Sequence, residues 1–354
     1  MMQRRHNLLQ EAQKCGYDSL VAFTPENLYY MTGFWGEAVG ILTQNDTTIV
    51  VPELESDRAK AESQDCIVQS SERGARLIPQ VSSLLDKKGS PCTDCPDYAT
   101  MKILLKDAPN VTHDTKPFLN TRMIKDNTEI RRLRQASRII DGLFDTCTAS
   151  IRPGRTELEL QAILMSEAIK QNMFDTGYPS TLNPLIVASG PNSALPHAQP
   201  TRRKFRDGDM VTVDITLRYN GYISDATRTF GIGHISKKAK EVYDLVKESQ
   251  MCGLKEAAPD VLCSTIDQTC RDVIDEAGYG EYFIHSTGHG IGLDVHESPT
   301  ISKYSDYTLQ DRMAVTVEPG IYIPKRFGVR IEDSIMIGGR QKSMHKFTKD
   351  LIII

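Results

Sequence analysis

Short apolar runs alternate with helix-type segments in the first part of the chain. The apolar run at residues 20–23 is typical of a buried strand. Residues 38–43 and 47–51 flank a Gln-Asn-Asp turn, which predicts a β-hairpin. Two further segments have helical composition, residues 53–63 and 74–86. This alternation predicts a small α/β domain with its own core over residues 1–118.

A longer amphipathic pattern begins after Pro117. Apolar residues spaced three and four apart predict one long helix over residues 127–150. Thr156 and Glu159 then predict a capping box for a second helix. A strand near residues 185–188 and a hairpin over residues 210–231 follow.

The same order of elements recurs in the rest of the chain. The predicted elements are a helix over residues 236–257, a helix capped by Ser264 with Asp267, a glycine- and histidine-rich stretch over residues 283–297, and a hairpin over residues 313–337. The two halves share almost no residue identity, so the repeat is one of architecture. It predicts a second domain, residues 119–354, made of two like lobes with a site between them.

Composition and charge exclude several classes of protein. The chain has 354 residues, 40% hydrophobic and 25% charged, and its net charge of -4 disfavours a nucleic-acid surface or a polybasic membrane patch. No apolar run reaches the roughly 18 residues of a membrane span, and the N-terminus lacks the apolar segment of a secretory signal. The eight cysteines include a single C-x-x-C, Cys92 and Cys95, and predict reduced thiols in a cytoplasmic protein.

The stretch F-I-H-S-T-G-H-G-I-G-L-D-V-H-E, residues 283–297, is rich in both glycine and histidine. Each glycine costs a helix about 1 kcal/mol relative to alanine, so a strand or tight loop is predicted, with room for close approach. One histidine in such a run is typical of an exposed turn. Three of them, His285, His289 and His296, together with an acid, favour a metal or catalytic site.

The first predicted hairpin carries a pair of aspartates. Asn220-Gly221 is typical of a two-residue type I′ turn, which sets Asp225 opposite Thr216. Asp214 lies two residues from Thr216, so Asp214 and Asp225 are diagonal neighbours on one face of the sheet. By itself this pair is explained equally well by a solvated rim.

The second predicted hairpin carries a pair of glutamates. A loop of odd length centred on Lys325 sets Glu318 directly opposite Glu332. Like charges that face each other destabilise a ladder, so two such pairs beside a histidine-rich stretch favour a metal site. Four carboxylates carry a charge that two divalent cations neutralise. The donor set suits Mn²⁺, with Co²⁺, Fe²⁺ and Zn²⁺ as alternatives.

A pair of metal ions predicts a hydrolytic mechanism. A water that bridges two ions loses a proton near neutral pH, and the ions stabilise the oxyanion that forms when it attacks a carbonyl. A carboxylate close to that water can carry a proton to the leaving amine.

The chain resembles the pita-bread metallopeptidases, the family of Xaa-Pro dipeptidase, aminopeptidase P and methionine aminopeptidase. The resemblance rests on H-S-T-G-H-G-I-G-L-D-V-H-E, V-E-P-G-I-Y and G-V-R-I-E-D, and covers the chain from near residue 120 onward. E-N-L-Y-Y-M-T-G-F matches the family's extra N-terminal domain more loosely, which disfavours a simple methionine aminopeptidase. The implied fold is α+β: a small creatinase/prolidase-like α/β domain followed by a pita-bread catalytic domain with a pseudo-twofold αββ repeat.

The resemblance also implies the metal ligands, which are Asp214, Asp225, His289, Glu318 and Glu332. Asp225 and Glu332 would bridge both ions, Asp214 would hold one, and His289 with Glu318 would hold the other. Glu318 would also be the proton shuttle.

Further residues are assigned to the substrate by the same resemblance. His197 and His296 would stabilise the substrate carbonyl and the intermediate, and His285 would line the pocket with His296. Arg330 matches a family arginine near the substrate carboxylate or behind the ligands, and Tyr322 is a weaker candidate for such a supporting role.

The implied activity is hydrolysis of the Xaa-Pro bond in dipeptides, by a water bridging two divalent ions, Mn²⁺ first among them. Aminopeptidase P, which acts on longer peptides with proline in the second position, is the alternative. Creatinase, which lacks the metals, and metal-free binding relatives are more remote, because all five ligand positions are intact here. The family also implies a homodimer in which the N-terminal domain, with Trp35, reaches the partner's cleft.

Overall fold

The computed structural model describes residues 1–179, 183–339 and 342–354. The chain forms two compact units, Met1–Arg122 and Met123–Ile354. In the described part of the chain, no helix has both the length and the apolar character needed to cross a bilayer. All eight cysteines are free thiols, as predicted.

The N-terminal unit is built on a six-stranded sheet with the order β4-β3-β2-β1-β5-β6. Its strands are β1 (Ser19–Ala22), β2 (Val39–Leu42), β3 (Thr47–Pro52), β4 (Ile67–Ser71), β5 (Pro91–Thr93) and β6 (Thr112–His113). Its helices are α1 (Met2–Lys14), α2 (Pro25–Thr32), α3 (Ser56–Glu62), α4 (Leu77–Ser83), α5 (Tyr98–Asp107) and α6 (Lys116–Met123). The predicted α/β alternation is therefore confirmed. The boundary expected after residue 118 falls within α6.

Local patterns account for much of this unit. All four residues of β1 are buried, as an apolar run without alternation predicts. Strands β2 and β3 pair antiparallel, with Leu42 opposite Thr47, so the hairpin across the Gln-Asn-Asp turn is confirmed. Helices α3 and α4 lie inside the two segments with helical composition.

The C-terminal unit repeats the order of two helices followed by paired strands. Its helices are α7 (Asn127–Ser150), α8 (Glu157–Lys170), α9 (Lys237–Glu256) and α10 (Cys263–Glu276). Its strands are β7 (Met173–Phe174), β8 (Leu185–Ser189), β9 (Met210–Tyr219), β10 (Tyr222–Gly231), β11 (Gly288–Gly290), β12 (Glu297–Ile301), β13 (Ala314–Val317), β14 (Gly320–Ile323), β15 (Phe327–Arg330) and β16 (Asp333–Met336). The sheets are β10-β9-β7 with β8 on β9, β12-β11-β13-β16, and β14-β15.

Each half of this unit has a core of its own. In the first half, residues of α7 and α8 pack with residues of β8, β9 and β10. In the second half, residues of α9 and α10 pack with residues of β13 to β16. The predicted repeat of two like lobes is confirmed by this arrangement.

Two of the helix starts follow from capping boxes. Asp126 accepts hydrogen bonds from the backbone N–H groups of Thr128 and Glu129, and the Glu129 carboxylate accepts one from Asp126 N. Thr156 and Glu159 form the predicted capping box at the start of α8. Each box satisfies backbone donors that a helix start leaves unpaired.

The predicted cap of α10 is wrong. This helix begins at Cys263 after Leu262, without a side-chain cap. The carboxylate of Asp267 instead binds Thr287 and Arg271, so it is not available to close a box with Ser264. Asp267 therefore binds Thr287, which is distant in sequence, instead of taking part in a cap with the nearby Ser264.

The first hairpin has the predicted turn and register. Tyr219 pairs with Tyr222, and φ is positive at both Asn220 (48°) and Gly221 (86°), as a type I′ turn requires. Asp225 lies opposite Thr216, so its relation to Asp214 on the same face is confirmed.

The second hairpin keeps its predicted register but is not one continuous ladder. Val317 pairs with Asp333 on one side of a break, and Gly320 pairs with Arg330 on the other. Glu318 and Glu332 lie in the break between these pairs. Their backbone N–H groups donate to Thr287 O and Thr227 O instead, at 2.8 and 3.1 Å. Glu318 and Glu332 therefore keep the opposed positions that the loop length predicts, but the ladder is interrupted where they lie.

Candidate metal centre and substrate cavity

Four carboxylates and one imidazole meet at a cavity of about 240 Å³ in the C-terminal unit. They come from five separate segments: Asp214 from β9, Asp225 from β10, His289 from β11, Glu318 from the end of β13 and Glu332 from the start of β16. The structure thus brings together all five residues that the sequence singled out as ligands. His197, His285, His296 and Arg330 line the same cavity.

Glycines allow β11 to enter this region. A side chain at Gly288 would collide with the carbonyl of Thr316, and one at Gly290 would collide with the carbonyl of Ser298. The histidine-rich stretch therefore forms a short strand in close backbone contact with its neighbours, as predicted from its glycine content.

The innermost group consists of Asp225, His289 and Glu332, which are all buried. Each offers a ligand atom within 4.8 Å of those of the other two. His289 Nε2 lies 3.7 Å from Asp225 Oδ2 and 3.5 Å from Glu318 Oε1. Both distances exceed that of an ordinary N–H···O hydrogen bond. These atoms face one another without a direct bond.

The protonation state of His289 determines what its Nε2 presents to these carboxylates. Burial, followed by the neighbouring His296, lowers the pKa of His289 to about 3, so the ring is neutral. Its Nδ1 lies 3.0 Å from the carbonyl oxygen of Gly290, which can only accept, so Nδ1 carries the hydrogen. Nε2 then presents a lone pair toward two carboxylates. A histidine whose other nitrogen is held in this way is arranged as a metal ligand.

Glu332 has an unsatisfied oxygen. Its Oε2 accepts a hydrogen bond from Thr227 Oγ1 at 2.8 Å. Its Oε1 is buried and has no partner among the residues that the structure describes. Burying a carboxylate oxygen without a donor or a cation is costly.

Mutual repulsion among the buried carboxylates also favours a cation at this site. Burial, then the charges of Asp225 and Glu318, raise the pKa of Glu332 well above its ordinary value. Burial, then Asp214 and Glu318, do the same to the pKa of Asp225. Burial raises the pKa of Glu318 to about 8, against the opposing effect of Arg330. Divalent cations would remove this repulsion and satisfy Glu332 Oε1 and His289 Nε2, so the donor set fits them.

Three threonines support the carboxylates and were missed from the sequence. Thr216 donates a hydrogen bond to Asp225 at 2.8 Å, Thr227 donates to Glu332 at 2.8 Å, and Thr316 donates to Glu318 at 3.3 Å. Each lies two residues from a predicted ligand on the same strand, and residues two apart share a face. The spacings D-x-T, D-x-T and T-x-E were therefore a usable signal.

Arg330 is buried and largely committed to the protein. Its Nη2 donates to Asp214 Oδ2 at 2.6 Å, and its Nε donates to Thr227 Oγ1 at 3.1 Å. Its Nη1 donates to Tyr322 Oη at 2.7 Å and to the carbonyl of Pro196 at 3.2 Å. Four of its five N–H groups thus have protein partners, and at most one on Nη2 remains for a substrate.

Tyr322 lies behind the cavity wall. Its hydroxyl accepts from Arg330 and lies 2.9 Å from His285 Nε2, while His285 Nδ1 lies 2.7 Å from the carbonyl of Ser286. Burial, then Arg330, lower the pKa of His285 to about 3, so the neutral ring accepts from Tyr322 and donates to Ser286. Tyr322 is therefore placed to orient His285 and Arg330.

The remaining two histidines are nearer to solvent. His197 is exposed on the loop that follows β8. The His296 ring lies 4.3 Å from the His289 ring and 4.9 Å from the Tyr178 ring, between centroids. Burial on its inner side lowers the pKa of His296.

A buried ion pair closes the loop that carries His296. Glu297 Oε2 lies 2.8 Å from Lys125 Nζ, and Glu297 Oε1 accepts from the backbone N–H groups of Leu293 and Asp294. The acid at the end of the histidine-rich stretch therefore shapes the loop.

Comparison with known proteins identifies the family of the chain. Residues 131–338 match the model of metallopeptidase family M24. The chain belongs to that family. Residues 4–116 match the creatinase/prolidase N-terminal domain. The prediction that the chain is a metallopeptidase is confirmed, and family membership implies binding of divalent metal.

Several relatives of this M24 member match it over nearly their whole length. The Xaa-Pro dipeptidase of Pyrococcus furiosus is 33% identical over 346 residues, 95% of each chain. The structure of an Xaa-Pro dipeptidase from Bacillus anthracis has a TM-score of 0.91 and 33% identity, covering 100% of this chain and 99% of that one. An X-Pro aminopeptidase from Thermotoga maritima has a TM-score of 0.88 and 29% identity, covering 99% of each chain. The predicted fold, a creatinase-type domain followed by a pita-bread catalytic domain, is confirmed.

Proposed function

We propose that this chain is an Xaa-Pro dipeptidase that uses two divalent cations, with Mn²⁺ as the first candidate. The observation that carries the proposal is Glu332 Oε1, which is buried without a partner among the described residues, beside the His289 lone pair and three further carboxylates. Dipeptidase relatives of full length support the substrate class.

The cations would be held by the five residues named above, Asp214, Asp225, His289, Glu318 and Glu332. When bound, two divalent ions supply Lewis-acid polarisation of the scissile carbonyl and lower the pKa of a water molecule. The donor atoms are already gathered around one cavity, so little reorganisation of the chain is needed.

Glu318 is the proposed proton carrier. Its side chain is 17% exposed, against 8% for Asp225 and 13% for Asp214, so it has more access to the cavity. It can therefore take a proton from the attacking water and deliver it to the leaving proline nitrogen.

Two histidines would stabilise the developing oxyanion. His197 and His296 line the cavity on the side open to solvent, where each can donate one N–H to the substrate carbonyl. Arg330 would hold Asp214 in place, and its remaining N–H on Nη2 is the candidate donor to the carboxylate of a dipeptide.

The alternative is an aminopeptidase that removes the residue before proline from longer peptides. It is favoured by the likeness to the X-Pro aminopeptidase of Thermotoga maritima, which matches as completely as the dipeptidases. The limited free capacity of Arg330 also favours it, because a dipeptidase must recognise a free carboxylate in the second residue.

The two functions are separated by comparing an Xaa-Pro dipeptide with the corresponding Xaa-Pro-Xaa tripeptide. The purified chain, loaded with Mn²⁺, is expected to hydrolyse the dipeptide with the higher kcat/KM. Glu332→Gln serves as the inactive control, since it removes the charge of one of the proposed metal ligands. A preference for the tripeptide overturns the dipeptidase in favour of the aminopeptidase, and hydrolysis of neither overturns both.

The homodimer, the cytoplasmic location and the domain boundary after residue 118 remain predictions from the sequence and the resemblance. The homodimer is tested by light scattering of the purified chain, for which a monomer mass near 39.6 kDa would contradict it.

A further inference from the structure

Helix α10 carries an ion pair between a buried aspartate and a half-buried arginine that the proposed mechanism does not use. Asp267 is fully buried, and its Oδ2 accepts from Arg271 Nε at 2.7 Å. The two residues are four apart on one face of the helix, and that face is turned toward residues 283–287. This is the segment that leads into β11.

Asp267 fixes the backbone from which two predicted metal ligands extend. Its Oδ1 accepts from Thr287 N at 3.1 Å and from Thr287 Oγ1 at 2.8 Å. The carbonyl of Thr287 in turn accepts from Glu318 N at 2.8 Å. Thr287 also lies two residues before His289 in the chain. The buried carboxylate of Asp267 therefore fixes the position of Thr287. Thr287 in turn binds the backbone of Glu318 and lies two residues before His289.

Arg271 holds the other end of the same segment. Its Nη1 donates to the carbonyl of Phe283 at 3.0 Å, and its Nη2 donates to the carbonyl of His285. Its guanidinium carbon lies 4.2 Å from the centroid of the Phe283 ring. Residues 283–287 are thus attached to α10 at three points.

The first lobe contains a similar buried carboxylate that anchors a backbone segment, at a place where no metal ligand is predicted. Glu157 of α8 is fully buried and accepts from Ser189 N and Ser189 Oγ, both at 2.7 Å, at the end of β8. It also accepts from Asn192 and Thr201. The segment that Glu157 anchors includes His197 but none of the five predicted metal ligands, so Glu157 provides a matched control for metal affinity.

We propose that Asp267 and Arg271 are positioning residues of the metal centre, which set Glu318 and His289 without touching a cation. This inference rests on the proposed metal centre. Ligands held in place by their supporting partners bind a metal more tightly than ligands that must be ordered on binding, and loss of such partners costs about 10- to 100-fold in affinity. A role limited to helix packing would instead lower the melting temperature and leave metal affinity unchanged.

The test measures the Mn²⁺ dissociation constant by calorimetric titration, alongside the melting temperature, for the wild type and three variants. Asp267→Asn is expected to weaken Mn²⁺ binding about 10- to 100-fold. Arg271→Lys keeps the charge opposite Asp267 but not the fork that holds two carbonyls, so an intermediate loss is expected. Glu157→Gln is expected to change the Mn²⁺ dissociation constant by less than about threefold, whatever its melting temperature.

Each outcome bears on the inference. Unchanged Mn²⁺ affinity in both Asp267→Asn and Arg271→Lys overturns it while leaving the proposed function intact. An equal weakening in Glu157→Gln also overturns it, because the effect would then be a general loosening of the unit. Failure of the wild type to bind Mn²⁺ overturns the proposed function and this inference together. If Asp267→Asn does not fold, Arg271→Lys decides.

Discussion

Replacing Glu318 with glutamine should change how stability depends on pH. Burial raises the pKa of Glu318 to about 8 from an ordinary value of 4.5. Between these values the folded chain, in the presence of a chelator, binds a proton that the unfolded chain does not bind. The free energy of unfolding therefore falls as pH rises through this window, by about 1.4 kcal/mol per pH unit for one such group. Asp225 and Glu332, whose pKa values are also raised, act in the same direction.

Three histidines act in the opposite direction over part of the range. The pKa values of His285 and His289 are lowered to about 3 from 6.5, and burial also lowers the pKa of His296. Their contribution to the free energy of unfolding therefore rises with pH up to about 6.5 and not beyond. A measurement between pH 6.5 and pH 8 therefore isolates the carboxylates. Over this interval Glu318 alone should account for about 2 kcal/mol.

The assay is urea unfolding with a chelator present, at several pH values in this interval, for the wild type and Glu318→Gln. We expect the wild type to lose about 2 kcal/mol more than the variant across the interval. With saturating Mn²⁺ the decline in the wild type should disappear, because cations replace protons on the carboxylates. A difference between the two proteins that stays constant with pH refutes the reasoning.

Three further substitutions follow from the same contacts. Glu332→Gln should reduce bound metal by at least about tenfold in elemental analysis, since the carboxylate whose Oε1 has no partner in the described part of the chain is exchanged for an amide; full metal content would contradict its role. Thr227→Val removes the donor to Glu332 Oε2 and should weaken Mn²⁺ binding about tenfold in calorimetry, and an unchanged dissociation constant would count against it. Tyr322→Phe should lower kcat/KM about tenfold by freeing His285 and Arg330, and a loss of bound metal would show that Tyr322 acts elsewhere.

The two hairpins show which features of the site could be predicted from the sequence and which could not. In the first, Asn220-Gly221 determines both the turn and the register, so the relation of Asp214 to Asp225 could be predicted. In the second, the register could also be predicted, but the break at Glu318 could not. Pro319 has no N–H for a ladder, and the N–H of Glu318 is taken by a carbonyl of the histidine-rich stretch.

Contacts between residues that are distant in sequence explain the other differences between the predicted and the observed structure. A local pattern favoured Asp267 as part of a cap with Ser264, whereas its carboxylate binds Thr287, twenty residues further along the chain. The reach of Arg330 to Asp214 and to the carbonyl of Pro196 likewise depends on tertiary packing. The supporting threonines are the exception, because their two-residue spacing from the ligands is visible in the sequence.

The central claim is that four carboxylates and His289 hold divalent cations needed for peptide hydrolysis. The most direct test is elemental analysis of the purified wild type, combined with hydrolysis of an Xaa-Pro dipeptide before and after a chelator. We expect two divalent ions per chain, loss of activity with the chelator, and recovery on adding Mn²⁺. Absence of bound metal together with activity that the chelator does not change would contradict the account.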